Sequence, residues 1–230
     1  LNEILGSEDK LKNVIKEELR KIRREYGVAR KTEIREQIED IKIDNTSMLP
    51  KEDVIVAITK DGYVKRVSLR SYNANDETGL KENDYIIGLY NINTLNVILV
   101  FTDLGNYLYL PVYEIPEAKW KDFGKHLSNI IGMQESEKII GVMPVYDFDE
   151  DRYIVSFTKN GMVKRTKLSD FKVQRYTKEI NMMNLKDEDR VINVDYSNLS
   201  EVFVATKNGY GLWYNTSEIS VVGIRASGVK

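Results

Sequence analysis

The chain has 230 residues, with 34 Lys and Arg against 36 Asp and Glu and a formal net charge of -2. That balance excludes a uniformly basic nucleic-acid binder, so any anionic partner has to be met by a local patch. Cysteine is absent, which excludes disulfides and thiolate metal sites and suits a reducing cytosol, and no apolar run or leader pattern predicts membrane insertion or export.

In chain order, Leu11, Val14, Ile15, Leu19, Ile22 and Tyr26 recur at three- and four-residue steps and predict an amphipathic helix. Ser7 is the expected N-cap, with Glu8 and Asp9 in the first turn and Gly27 as a left-handed C-terminal stop. A second, shorter helix opened by Thr32 would align Ile34, Ile38 and Ile41. Near Pro50 the pattern changes to short β-branched and aromatic runs bounded by Gly, Asn and Asp, the composition of strands.

Those runs repeat. "ITKDGYVKRVSL" (58–69) returns as "FTDLGNYLYL" (101–110), "FTKNGMVKRTKL" (157–168) and "ATKNGYGLWY" (205–214), each with a Thr three residues before a Gly. The position thirteen after each Thr is Tyr72, Ile115, Phe171 or Ile219, always large and apolar, and is expected to pack between repeats. Asp-Gly and Asn-Gly between strands predict type I′ hairpins. A strand before each hairpin, such as the apolar pairs in "NDYIIGL", "SEKIIGV" and "EDRVINV", and another after it would give four-stranded blades of roughly 45 to 55 residues. The fold expected is mainly β, four blades stacked propeller-fashion behind a helical segment.

The first and third repeats carry Lys65-Arg66 and Lys164-Arg165 six and seven residues after the Thr, where the others carry Leu108-Tyr109 and Leu212-Trp213. Arg70, Lys167, Lys172, Arg175 and Lys178 follow in the same segments, while acidic residues cluster in "NANDETGLKEND", "DFDEDR" and "LKDEDR". Edge protection and solubility account for such charges on a surface strand; their segregation from the acids points instead to a basic rim for polyphosphate. His126, beside Lys121 and Lys125, suits either a phosphate contact or a structural hydrogen bond, and Trp120 and Trp213 are expected to pack.

The runs "VIVAITKDGYVKR" and "YIVSFTKNGMVKR", with "LKNVIKEELRKIRREYGVARKTEI" before them, resemble the A subunit of bacterial type IIA topoisomerases. The likeness covers essentially the whole chain. It implies that residues 1–45 end the breakage-reunion region and that 46–230 form about four blades of a C-terminal β-pinwheel, continued in relatives by further blades. Gyrase carries a Gln-Arg-Arg-Gly-Gly-Lys-Gly box after its first blade; "SYNANDETGLKEND" stands there in this chain, which favours the topoisomerase IV branch. The resemblance further implies a non-catalytic, cytoplasmic, nucleoid-associated module that binds and bends duplex DNA without reading sequence, within an A2B2 assembly. Its helical face would dock on the A-subunit core, and ATP and Mg would belong to the partner B subunit. No tyrosine is assigned to cleavage and no metal site is expected. The DNA-contacting set is Lys65, Arg66, Arg70, Lys121, Lys125, His126, Lys164, Arg165, Lys167, Lys172, Arg175, Lys178 and Arg225, strongest at repeats one and three. The rival reading is a protein-interaction module using Leu108, Tyr109, Trp213 and Tyr214; an enzyme with a carboxylate site between blades has no supporting spacing.

Overall fold

The computed structural model describes residues 6–32, 49–134, 136–186, 188–197 and 201–230. Contacts divide the chain into two compact units, Leu1–Ile43 and Asp44–Lys230. In the first, helix α1 (Glu8–Tyr26) forms as the periodicity predicts, with acids in its first turn and Arg23 and Arg24 in its last, both favourable to the helix dipole. Its apolar stripe from Leu11 to Tyr26 is exposed. Ser7 is extended at the N-cap, without a side-chain capping bond. Gly27 is not left-handed: its φ is -66°, and its N–H donates to the Arg23 carbonyl. Glycine is needed there for close approach, since a Cβ would lie 2.1 Å from that oxygen. The second helix expected from Thr32 onward falls outside the described residues.

The second unit is built on four hairpins. Strands β1 (Asp53–Thr59) and β2 (Tyr63–Ser68) form the first, followed by the short helix α2 (Leu69–Asn73) and β3 (Ile86–Asn93). Strands β4 (Val97–Thr102) and β5 (Asn106–Pro111) form the second, followed by β6 (Lys125–His126) and β7 (Ile139–Val145). Strands β8 (Tyr153–Thr158) and β9 (Val163–Lys167) form the third, followed by β10 (Ile180–Asn181) and β11 (Val191–Tyr196). The fourth is β12 (Glu201–Ala205) with β13 (Gly211–Asn215).

The sheets are not assembled as the repeat suggests. Their strand orders are β3-β1-β2-β6, β10-β5-β4-β7, β11-β8-β9 and β12-β13. Strand β3 turns back onto β1, β7 onto β4 and β11 onto β8. The apolar pairs in "YIIGL", "KIIGV" and "RVINV" therefore belong to the hairpin before them, not to the one after. The other edge is closed from farther along the chain: β6, beyond the second hairpin, pairs with β2, and β10, beyond the third, pairs with β5. Val229, beyond the fourth, bridges Val163 in β9. Each of the first three hairpins is thus covered by a crossover segment from its successor, and the sheets are laced together.

The hairpin turns also differ from type I′. Gly62, Gly105, Gly161 and Gly209 have φ between +77° and +90°, whereas the residues before them are not left-handed. Each Gly N–H donates to the carbonyl of the Thr three residues earlier, at 3.0–3.2 Å. In three turns the Thr hydroxyl also accepts the N–H of the residue after the glycine: Tyr63 at 3.1 Å, Met162 at 3.0 Å and Tyr210 at 3.1 Å. This is a three-residue loop closed by a left-handed glycine, and it explains the Thr-x-x-Gly spacing.

Two apolar cores lie on either side of the second sheet. Ile98, Val100, Leu108 and Leu110 face the first sheet, packing with Val56, Ile58 and Ile115. Leu99, Phe101, Tyr107 and Tyr109 face the third, packing with Ile154, Phe171 and Met182. Burial on both faces is why β4 reads as an unbroken apolar run. Ile115, Phe171 and Ile219 are buried as expected, and half-buried Tyr72 stacks edge-on against Trp120 at 4.8 Å. Trp213 departs from its expected packing role. It is 70% exposed, with Phe203 and Leu212 beside it on the fourth hairpin, because the described residues add no third strand to that sheet.

Candidate nucleic-acid interface

The two Lys-Arg pairs lead inward. Lys65 is 2% exposed, and its Nζ donates to Trp120 O (2.6 Å), Thr78 Oγ1 (2.7 Å) and Asp122 O (2.8 Å), with Gly79 O a longer fourth acceptor at 3.3 Å, while lying 4.5 Å from the Trp120 ring centre. Lys164 is 1% exposed and donates to Met182 O (2.6 Å) and Gly223 O (3.3 Å). Lys65 and Lys164 are therefore removed from the expected phosphate-contacting set, since neither ammonium reaches solvent. Their arginine neighbours are half-buried and also held by backbone: Arg66 reaches Tyr113 O at 3.5 Å, and Arg165 donates to Thr216 O at 2.8 Å with its guanidinium over Tyr153. Both carbonyls lie in the 3-10 turn after the next hairpin. The pairs are ties between neighbouring units.

Burial lowers both lysines from the usual 10.5 to about 8, with Asp122 and Asp170 respectively opposing the shift. Between about 8 and 10.5 the folded chain has shed protons that the unfolded chain still holds, so stability rises with pH across that window. Buried Tyr196, pushed up to about 12, reverses the trend once tyrosines of the unfolded chain ionise near 10. Urea midpoints should therefore climb from pH 7.5 to 9.5, and the climb should shrink in a Lys65→Met, Lys164→Met double variant.

His126 makes the hydrogen bonds of its structural alternative. Its Nε2 donates to Asp61 O at 2.9 Å, Nδ1 lies 2.7 Å from Ser128 Oγ, and the ring packs edge-on against Tyr63. Three acidic residues, two of them in the acidic clusters, form a device that charge segregation alone did not reveal. Asp84, Glu137 and Asp189 each stand two residues before a returning strand and clamp the preceding hairpin. Asp84 accepts the Asp61 N–H (3.0 Å) and Asp189 the Asn160 N–H (2.9 Å). Glu137 accepts from the Thr102 hydroxyl (2.9 Å) and the Asn106 amide (2.6 Å).

The remaining expected cations are exposed: Arg70, Lys121, Lys125, Lys167, Lys172, Arg175, Lys178 and Arg225. Arg70 lies on α2 and Lys167 ends β9; the other six lie on the three crossover segments. Lys125 pairs with Val64, Lys178 bridges Gly132, and Arg225 bridges Met183 with a left-handed φ of +71°. The second segment is pinned by Tyr176, whose hydroxyl lies 2.9 Å from that of Tyr113 and donates to Glu114 at 3.0 Å. Burial, together with those hydrogen bonds, pushes this phenol's pKa well up. The backbone of each crossover is thus fixed by sheet or bridge bonds, and its charged side chains are exposed. Among the described residues no group of three or more His, Asp or Glu could hold a metal, and no helix is long and apolar enough to cross a membrane.

The sequence profile of the family described as DNA gyrase C-terminal domain, beta-propeller, matches residues 53–76, 96–145, 152–198 and 200–230. The chain belongs to this family. Within it, the chain is 44% identical to the A subunit of DNA topoisomerase 4 from Bacillus subtilis (strain 168) over 233 aligned residues, all of this chain and 29% of the relative. It is 40% identical to the protein of the same name from Staphylococcus aureus (strain MRSA252), again over 29% of the relative. The crystal structure of the C-terminal domain of DNA topoisomerase IV superposes with a TM-score of 0.77 at 48% identity, over 80% of this chain and 58% of that one. The laced sheets are those of a β-pinwheel, and the topoisomerase IV branch expected from the missing diglycine box is supported by these relatives. The chain spans less than a third of the curated relatives' length.

Proposed function

We propose that the 44–230 unit binds duplex DNA through phosphate contacts from its crossover segments and bends it, without reading bases. The supporting observation is the placement of Lys121, Lys125, Lys172, Arg175, Lys178 and Arg225 on three equivalent crossovers, exposed, while the Lys-Arg pairs of β2 and β9 are buried or tied to backbone. Lys and Arg displace counterions from phosphates without base specificity. Successive units offer the cations in series, so a duplex following them must curve. That costs on the order of 1 to 6 kcal/mol for a short duplex and requires several contacts in compensation. In a type IIA topoisomerase, with an A-subunit core and a B subunit, such a module would present a chosen DNA segment to the strand-passage gate and favour decatenation or relaxation. The chain has no assigned catalytic role, and the setting would be the nucleoid in the cytoplasm. Contact spreads over all three crossovers, in place of the emphasis on repeats one and three expected from the Lys-Arg pairs.

The test is fluorescence anisotropy with a duplex of about 40 base pairs across salt concentrations. Replacing Lys121, Lys125, Lys172 and Lys178 by Ala should reduce the slope of log affinity against log salt by about 0.9 for each phosphate contact removed. The same change at Lys16, Lys21, Lys51 and Lys207 should leave it nearly unaltered. Binding indifferent to salt and to the first set would defeat the proposal. The rival protein-interaction surface has lost half its members, because Leu108 and Tyr109 are buried in the core.

A further inference from the structure

We infer that Lys65 is a positioning residue for DNA contact: its ammonium stays inside the protein and holds the Lys119–Lys125 loop in the shape that presents Lys121 and Lys125. The inference rests on the DNA-binding reading above.

The geometry at one nitrogen carries it. Two of the four acceptors, Trp120 O and Asp122 O, flank Lys121 directly, at 2.6 and 2.8 Å. The other two, Thr78 Oγ1 and Gly79 O, come from the loop after α2, where the gyrase-like basic box is missing. Three chain segments, β2, the 76–80 loop and the crossover, therefore meet on a single charge. An ammonium satisfies three acceptors at once, whereas no neutral side chain of that length donates more than two hydrogens from one nitrogen. Gly79 N–H donates back to Trp120 O, and Ala118 N–H to Arg66 O, so the loop is shaped from both sides. Gly124 crosses over Lys65 so closely that a Cβ would lie 2.9 Å from the lysine's own.

Direct phosphate contact would require Lys65 to leave this cage. The equivalent position in the second unit shows what the lysine adds. Leu108 fills it, fully buried, so the repeat accommodates an apolar side chain at this position in another unit. The crossover covering Leu108 is anchored instead from its own side, by Tyr176. The first crossover carries no such phenol, and the cation beneath it takes that part.

The test uses the full chain carrying Lys65→Met, with Thr78→Val as a milder second variant that removes one acceptor. Hydrogen exchange is read on peptides covering 118–126 without DNA, and affinity is read by anisotropy at one salt concentration. Lys65→Met should speed exchange in 118–126 by about tenfold and Thr78→Val by about threefold, with β4 and β5 unchanged. Lys65→Met should weaken DNA binding about fivefold. In its background, Lys121→Ala with Lys125→Ala should cost clearly less than in the parent, since those side chains are already misplaced. Unchanged exchange in 118–126 would overturn the clamp. Strictly additive losses would overturn positioning and make Lys65 an independent contributor. A parent chain that fails to bind DNA would defeat the function proposed above, and the exchange result would still decide the clamp.

Discussion

Gly124→Ala is expected to lower the unfolding free energy of the 44–230 unit by about 2–5 kcal/mol, the sum of a left-handed residue and a forced overlap. Gly124 has a φ of +85°, and a Cβ there would lie 2.4 Å from Val64 O and 2.9 Å from Lys65 Cβ. Neither neighbour can give way, since Val64 is paired in the ladder and Lys65 is held by four acceptors. Gly209→Ala supplies the control: φ is +82° but nothing lies within 4 Å, so only the backbone cost of about 1–2 kcal/mol applies. Urea unfolding followed by circular dichroism separates the two. Equal losses at both positions would show that the crossover does not press on β2 as described. Gly228, with Val163 O at 2.4 Å and Lys164 Cβ at 3.0 Å from its Cβ position, repeats the arrangement two units on and should behave like Gly124.

Glu137→Leu should cost about 3 kcal/mol or more, because it strands several donors in the interior. The carboxylate is 6% exposed and accepts from Thr102, Asn106 and the Gln134 N–H. Glu137→Gln keeps one acceptor oxygen and should cost about half as much. The decisive reading is local. Exchange at the second hairpin turn, Thr102–Asn106, should rise before global unfolding in Glu137→Leu, whereas a general loss of charge would leave it unmoved.

The turns were legible because their chemistry is local. A Thr whose hydroxyl caps the turn and a glycine that alone adopts positive φ must recur at fixed spacing, and they do. The hairpin partners were not legible in the same way. Strands β6 and β10 are two residues long, too short to carry any alternation, and pairing across an intervening hairpin leaves no local trace. The misreading of Lys65 and Lys164 had its own warning: Leu108, at the same place in the second repeat, is an apolar residue that belongs in a core, and it is fully buried there. The clamps were similarly visible as Asp84, Glu137 and Asp189, always two residues before an apolar strand, but Asp84 and Asp189 were read as members of acidic clusters and Glu137 only as the lead-in to an apolar pair. What the sequence conveyed about the proposed interface was its composition. Which cations face outward was decided by crossovers that only the folded chain brings into place.

The lacing of the sheets also sets an order of assembly. As the chain leaves the ribosome, the first hairpin has to wait for Lys125 and His126, roughly 60 residues after its return strand and several seconds later at ordinary elongation rates. The second waits in turn for Ile180 and Asn181. Each of the first three sheets thus spends its early life with an open edge, the kind of surface that recruits stray strands, and is sealed only by the arrival of its successor. Lys65 and Lys164, buried beneath those seals, give up their water only at closure, so the two lysines remain hydrated and mobile for as long as each edge stays open.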